Sequence, residues 1–180
     1  MKKIDISKWE NYGIPQIFYT EKKGKTLQIP TGAMLSKRIL EDGNTPRVTV
    51  SSFNNGITGY YLDLDDKNYR TYENFISVSF LGTVFYQPNK ASLDMKVHCL
   101  KPIEHELNIY TATFLVSIIR KTILNFEYKD QLSSSALPLL SIKLPKDKKG
   151  NPNWEYMESY MKNIMQDTQS KLDKLVCCKV

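Results

Sequence analysis

An α+β body followed by a long helical handle is the fold that three features of this sequence predict. Several short segments alternate apolar and polar residues, the period of half-buried strands. From Leu107 to Tyr128 the residues Ile109, Phe114, Leu115, Ile118, Ile119, Ile123 and Phe126 recur with helical spacing and predict the core helix. Beyond Asn153, Met157, Met161, Ile164, Thr168, Leu172 and Leu175 stand three or four residues apart and predict one apolar stripe on a helix of about six turns.

The stretch SIKLPKDKKGNPNWEYMESYM, residues 141–161, joins body to handle. Leu140, Ile142 and Leu144 alternate with Ser141 and Lys143 as in a strand, and Pro145 ends the ladder because it has no N–H to donate. After a lysine-rich loop, Asn151 or Asn153 can cap a helix, Pro152 suits its first turn, and Glu155 and Glu158 sit at the positive end of its dipole. The chain therefore divides into a body, residues 1–150, and a C-terminal spacer or dimerisation helix, residues 151–180. The stripe either docks on the body or packs against another helix, and Met157, Met161 and Met165 make it adaptable.

With 180 residues, 41% of them hydrophobic and 24% charged, the chain is expected to form one globular domain. The start MKKIDISKWE lacks an apolar leader, and no apolar run reaches the length of a bilayer span, so a cytoplasmic protein with no membrane partner is expected. Cys99, Cys177 and Cys178 are odd in number and lack CxxC spacing, which argues against disulfides or zinc. His98 and His105 lie near Glu104 and Glu106 without HExxH spacing, so no metal site is expected. The net charge is +6, and from Asn153 onward four lysines balance four acids, so the whole excess belongs to the body. A basic body points to a polyanion, most often nucleic acid, with solvated surface lysines as the plainer explanation.

In chain order, the aromatic and β-branched residues from Trp9 to Tyr19 predict a packed segment and then a strand. Lys22, Lys23 and Lys25 surround Gly24 in a surface turn able to meet phosphate, although the GxxxxGK[ST] nucleotide pattern is absent. Residues 31–40, TGAMLSKRIL, predict a short helix carrying Lys37 and Arg38, and DGNTP a turn. Val48 and Val50 lead to Asn54-Asn55-Gly56, a hairpin signal, with the strand resuming at Ile57 and Tyr60. NFISVSFLGTVFYQP reads as one strand bulged at Gly82, and the sheet should end at Pro102. No nucleophile elbow, paired catalytic carboxylates, glycine-rich cofactor turn or methyltransferase signature is present, which favours a binding module over an enzyme.

The order VTVSSFNNGITGYY, NFISVSFLGTVFYQPNKASLDMKV, LKP, the core helix with NFEY, and SIKLPKDKKGNPNWEYMESYMKNI resembles the target recognition domains of restriction–modification specificity subunits, of type I and of the half-size or type IIB and IIG relatives. The last run is its most specific element. The resemblance implies an α+β (α/β globular) domain with a mixed, twisted sheet that reads one half of a bipartite double-stranded DNA site, followed by a long C-terminal helix that pairs with another helix to set the spacing. A complete type I subunit carries two such domains and two helices, so this chain resembles a half subunit, completed by homodimerisation or by a different specificity chain.

The resemblance places base and backbone contacts at Ser51, Ser52, Asn54 and Asn55, at Gln87, Asn89, Lys90 and Ser92, and at Lys129, Gln131, Ser133 and Ser134. Phosphates fall to Lys22, Lys23, Lys25 and Arg38. Where many relatives carry a tyrosine-glycine-arginine-like run, this chain has Tyr128-Lys129-Asp130. The implied role is non-catalytic: the chain delivers a DNA methyltransferase subunit, and through it a restriction and translocase subunit, to its site. S-adenosylmethionine, Mg and ATP would then belong to partner subunits, with no cofactor here. The alternative is an adaptor or inhibitor that binds such subunits through its C-terminal helix without reading DNA. A stand-alone nuclease would need clustered metal-binding carboxylates that the sequence lacks.

Overall fold

The computed structural model describes residues 4–124 and 132–177. Its elements are β1 (Trp9–Gly13), the single-turn α1 (Ile14–Ile17), β2 (Glu21–Lys23), β3 (Thr26–Gln28), β4 (Asp42–Val48), β5 (Ile57–Tyr61), β6 (Thr71–Tyr72), β7 (Phe75–Ser79), β8 (Val84–Gln87), β9 (Ala91–Leu93), β10 (Val97–Leu100), α2 (Ile109–Ile123), β11 (Ser141–Pro145) and α3 (Trp154–Cys177). The fold is α+β.

Three layers make the body. The middle is the antiparallel sheet β10-β7-β8. On one face Ile76, Val78, Val84 and Leu100 pack with Ala112, Leu115 and Ile119 of α2. On the other, Phe75, Val97 and Cys99 meet Val48 and Leu93 of the sheet β5-β4-β9-β6. That second sheet is mixed, since β4 and β9 run parallel and its other pairs antiparallel. Two further pairs, β1 with β11 and β2 with β3, form separate ribbons, so the expected single sheet is divided into four pieces.

Several local expectations change in this context. NFISVSFLGTVFYQP is a hairpin of β7 and β8, not one bulged strand, and Gly82 turns it with a φ of +83°. The helix expected over residues 31–40 is absent apart from a 3₁₀ turn at Lys37–Ile39. Tertiary contacts override it: Thr31 bridges to His98, and a Cβ on Gly32 would stand 2.2 Å from the Leu93 carbonyl oxygen. DGNTP lies within β4, where a register shift between Asp42 and Thr45 absorbs Gly43 and Asn44.

α3 starts as the sequence indicates, and α2 starts at Ile109, just inside the expected range. Asn108 caps α2 by accepting from the Tyr110 and Thr111 N–H groups at 3.0 Å. Asn153 caps α3 by accepting from the Tyr156 N–H at 2.9 Å. β11 buries Ile142 and Leu144 and pairs with β1 in the register Tyr12 to Ile142. The first turns of α3 then lie on α2, with Tyr160 edge-on to Phe114 at 6.1 Å between ring centroids.

The stripe of α3 is therefore divided between two environments. Met157, expected to face a partner helix, is fully buried in this chain's own core. Met161 and Ile164 are half-buried, and every residue from Gln166 to Leu175, Thr168 included, is exposed. Leu172 and Leu175 expose 51% and 65% of their surface. The bare segment is about 15 Å long at the rise of an α-helix.

Met157→Ala should lower stability by about 2–4 kcal/mol in urea unfolding, because it leaves a cavity beside α2. Leu172→Ala, measured where the chain is monomeric, should stay within about 0.5 kcal/mol of the parent. Equal losses would show that the exposed part of α3 also folds against the body.

Candidate nucleic-acid interface

The loop between β4 and β5 is narrow and held from within. The Thr49 N–H donates to the Gly56 carbonyl at 2.8 Å, and the Gly56 N–H to the Phe53 carbonyl at 2.8 Å. Asn54, Asn55 and Gly56 occupy left-handed backbone in succession, with φ of 47°, 52° and 80°. Asparagine tolerates this conformation better than other residues with a Cβ, and the Asn54 amide helps by donating to the Ile57 carbonyl at 3.3 Å. Gln87 braces the loop from the core. Its buried amide donates to the Asn55 carbonyl at 2.9 Å and to Ser77 Oγ at 3.2 Å.

Ser52, Asn54 and Asn55 are exposed at this tip and Ser51 partly so. Asn89 and Lys90, on the turn from β8 to β9, share with Asn55, Asn44 and Tyr60 a cleft of about 450 Å³. Lys90 is exposed but engaged in an ion pair with Asp63, which also accepts from Thr45 Oγ1 at 2.8 Å and from the Tyr69 hydroxyl at 3.3 Å. The hydrogen bond from Lys90 leads the effects that hold the Asp63 carboxyl below the usual carboxylate range. Two residues expected here are placed differently. Gln87 is enclosed and acts on the loop backbone, and Ser92 is fully buried where β9 lies between β4 and β6, so neither side chain is presented at the surface.

Ser133 and Ser134 line a second groove, of about 340 Å³, with Phe80, Met95, Lys96 and His98 at the other end of β7. His98 is buried, its Nε2 lies 2.9 Å from the Leu132 carbonyl, and Nδ1 has no hydrogen-bond partner among the described residues. Burial pushes its pKa down. The Ser134 carbonyl accepts from the Ile29 N–H at 2.9 Å and so roots the β2–β3 hairpin, whose Lys22, Lys23 and Lys25 are all exposed. Arg38 is exposed on the 3₁₀ turn. Lys129 and Gln131 lie outside the described residues. Thus the structure joins the β4–β5 tip to Asn89 and Lys90, and sets Ser133 and Ser134 apart with the basic hairpin.

Sequence reasoning overlooked Arg47 and Arg70, which donate to the Ala33 and Thr31 carbonyls at 2.9 and 2.8 Å and clamp the segment leading from β3 to β4. It also overlooked Phe53, whose ring is 80% exposed at the hairpin tip. Its signal was legible: an aromatic residue inside a run of serine and asparagine, where turn chemistry calls for polar side chains.

The sequence profile of the type I restriction modification DNA specificity domain matches residues 6–174, nearly the whole chain. The chain belongs to that family. This specificity domain is 28% identical over 160 residues to the type II restriction enzyme BgcI specificity subunit S.BcgI of Heyndrickxia coagulans, across 87% of the chain and 43% of that subunit. Its fold matches the type I S subunit of M. genitalium with a TM-score of 0.60 at 16% identity, covering 98% of this chain and 43% of that one. The HsdS subunit of Thermoanaerobacter tengcongensis matches with a TM-score of 0.60 at 12% identity, over 91% of this chain and 39% of that one. The specificity domain thus spans less than half the length of each of these relatives.

Because the His98 pKa in the folded domain lies below its ordinary 6.5, the unfolded chain takes up the proton first as pH falls. Stability should be complete above about pH 6.5 and decline below it. His98→Gln, which can still donate to the Leu132 carbonyl, should flatten part of that decline, with the remainder left to His105, whose pKa burial also lowers. Urea midpoints at about pH 7.5 and 5.5 measure this, and identical losses in both proteins would assign the proton elsewhere.

Proposed function

We propose that this chain is the DNA-reading half of a restriction–modification specificity subunit, recognising one half of a bipartite duplex site. The match of residues 6–174 to the DNA specificity domain family carries the reading. Two features of the molecule support it: a braced polar hairpin tip beside Asn89 and Lys90, and an exposed lysine hairpin rooted beside Ser134. Polar tips suit base edges, and flexible lysines suit phosphates. Residues 1–150 act as the target recognition domain, and the stripe of α3 from the half-buried Ile164 to the exposed Thr168, Leu172 and Leu175 pairs with another helix. A second copy of this chain is the simplest partner and would read the other half-site with two-fold symmetry.

In this reading the chain is non-catalytic and needs no cofactor. It carries a DNA methyltransferase subunit to the site, and through it a restriction and translocase subunit. S-adenosylmethionine, Mg and ATP act on those partners.

Selection from a randomised duplex pool should enrich a symmetric, interrupted motif whose gap reports the helix spacing. A folded chain that enriches nothing, alone or with its methyltransferase subunit, would overturn the proposal. Replacing Lys22, Lys23 and Lys25 by Gln should weaken binding to every sequence alike and reduce the salt slope by about 0.9 for each phosphate that is no longer neutralised. An unchanged slope would remove the hairpin from the interface.

A further inference from the structure

We infer that Phe53 contacts the 5-methyl group of a thymine in the major groove, a reading that rests on the DNA recognition proposed above. Phe53 belongs to neither hydrophobic cluster of the body, and its ring is 80% exposed at the end of the β4–β5 hairpin. Both of its backbone polar groups are committed. Its N–H donates to Ser51 Oγ at 3.2 Å, and its carbonyl accepts from the Gly56 N–H at 2.8 Å. The ring is therefore carried on a held backbone and not on a loose loop, which lowers the entropic cost of binding.

The two residues after it, Asn54 and Asn55, hold left-handed backbone that costs energy for any residue with a Cβ, and buried Gln87 secures the second of them. Core-anchored strain next to an exposed aromatic ring is the arrangement of a contact surface. The part that projects beyond the sheet β5-β4-β9-β6 is the loop of residues 49–56. Two adjacent chain segments with their side chains fit the major groove, about 12 Å wide, and are too broad for the minor groove, about 6 Å wide. The thymine methyl is the apolar feature of the base edges there, and hydrogen-bonding edges surround it. Ser52 and Asn54 flank Phe53 and would meet those edges, while the phenyl ring has no hydrogen bond to offer them.

The experiment begins with the site enriched by the intact chain. Each thymine in that site is then replaced singly by deoxyuridine, which removes only the methyl group, and binding is measured for the parent, Phe53→Ala and Phe53→Leu. At one thymine per half-site the parent should lose about fourfold, the worth of one buried methyl. Phe53→Ala should bind the thymine and uracil duplexes equally, Phe53→Leu should recover part of the preference, and all three should share one salt slope. Matching thermal transitions confirm that the variants are folded. The inference is overturned by a deoxyuridine penalty that persists in Phe53→Ala, by a selected site without thymine, or by a Phe53→Ala defect confined to methyltransferase-subunit binding. Failure of the parent to select any sequence defeats the DNA-reading function itself, and the inference falls with it.

Discussion

Burial of β7 on both faces is the constraint on which the body depends. All five residues of FISVS are buried, so Ile76 and Val78 must find α2 while Phe75 must find the β4–β9 side. The same burial traps the hydroxyls of Ser77 and Ser79, and an unpaired buried polar group is costly. Ser79 Oγ accepts from the Thr83 N–H and pairs with its hydroxyl, which closes the β7–β8 turn. Ser77 is paired with the Phe85 carbonyl and with Gln87, and Gln87 extends the network to Asn55. Polar satisfaction in the core and the shape of the recognition tip are thus one hydrogen-bonded system.

Basic residues divide their work by chemistry. Arg47, Arg70 and Arg120, three of the four arginines, donate to the carbonyls of Ala33, Thr31 and Val84. A planar fork with several donors can satisfy backbone groups at the edge of a core, even where the side chain is exposed, as at Arg120; Arg38 is exposed on its 3₁₀ turn. The lysines Lys22, Lys23 and Lys25 remain in solvent, where an ammonium on a flexible stem can follow a polyanion. Lys90 is the intermediate case, since Asp63 already neutralises it in the free chain. Any phosphate that meets Lys90 must compete with that carboxylate.

The final helix belongs to two environments because its stripe outruns the body. Met157 and Tyr160 are used against Phe114 and α2, whereas Leu172 and Leu175 stand in water. Docking of its first turns fixes the direction in which the uncovered remainder points. A second surface that covers that remainder inherits its orientation from the body's core.

Sequence alone determined what depends on near neighbours. The helical stripes of α2 and α3, the cap Asn153, the strand that stops at Pro145 and the turn at Asn54-Asn55-Gly56 are each legible within one or two turns of chain. The expected contact residues Ser52, Asn54, Asn55, Asn89 and Lys90 were legible as polar loops, and they do lie at the surface. Tertiary structure alone decided that Trp9–Gly13 pairs with Ser141–Pro145, that Gly32 is pressed against β9 where a helix was expected, and that Ser92 and Gln87 are buried. It also decided that Met157 turns into the core and that Lys90 finds Asp63. The reason is range: propensity and periodicity act over a few residues, whereas burial and strand pairing depend on which distant segment arrives to cover a surface.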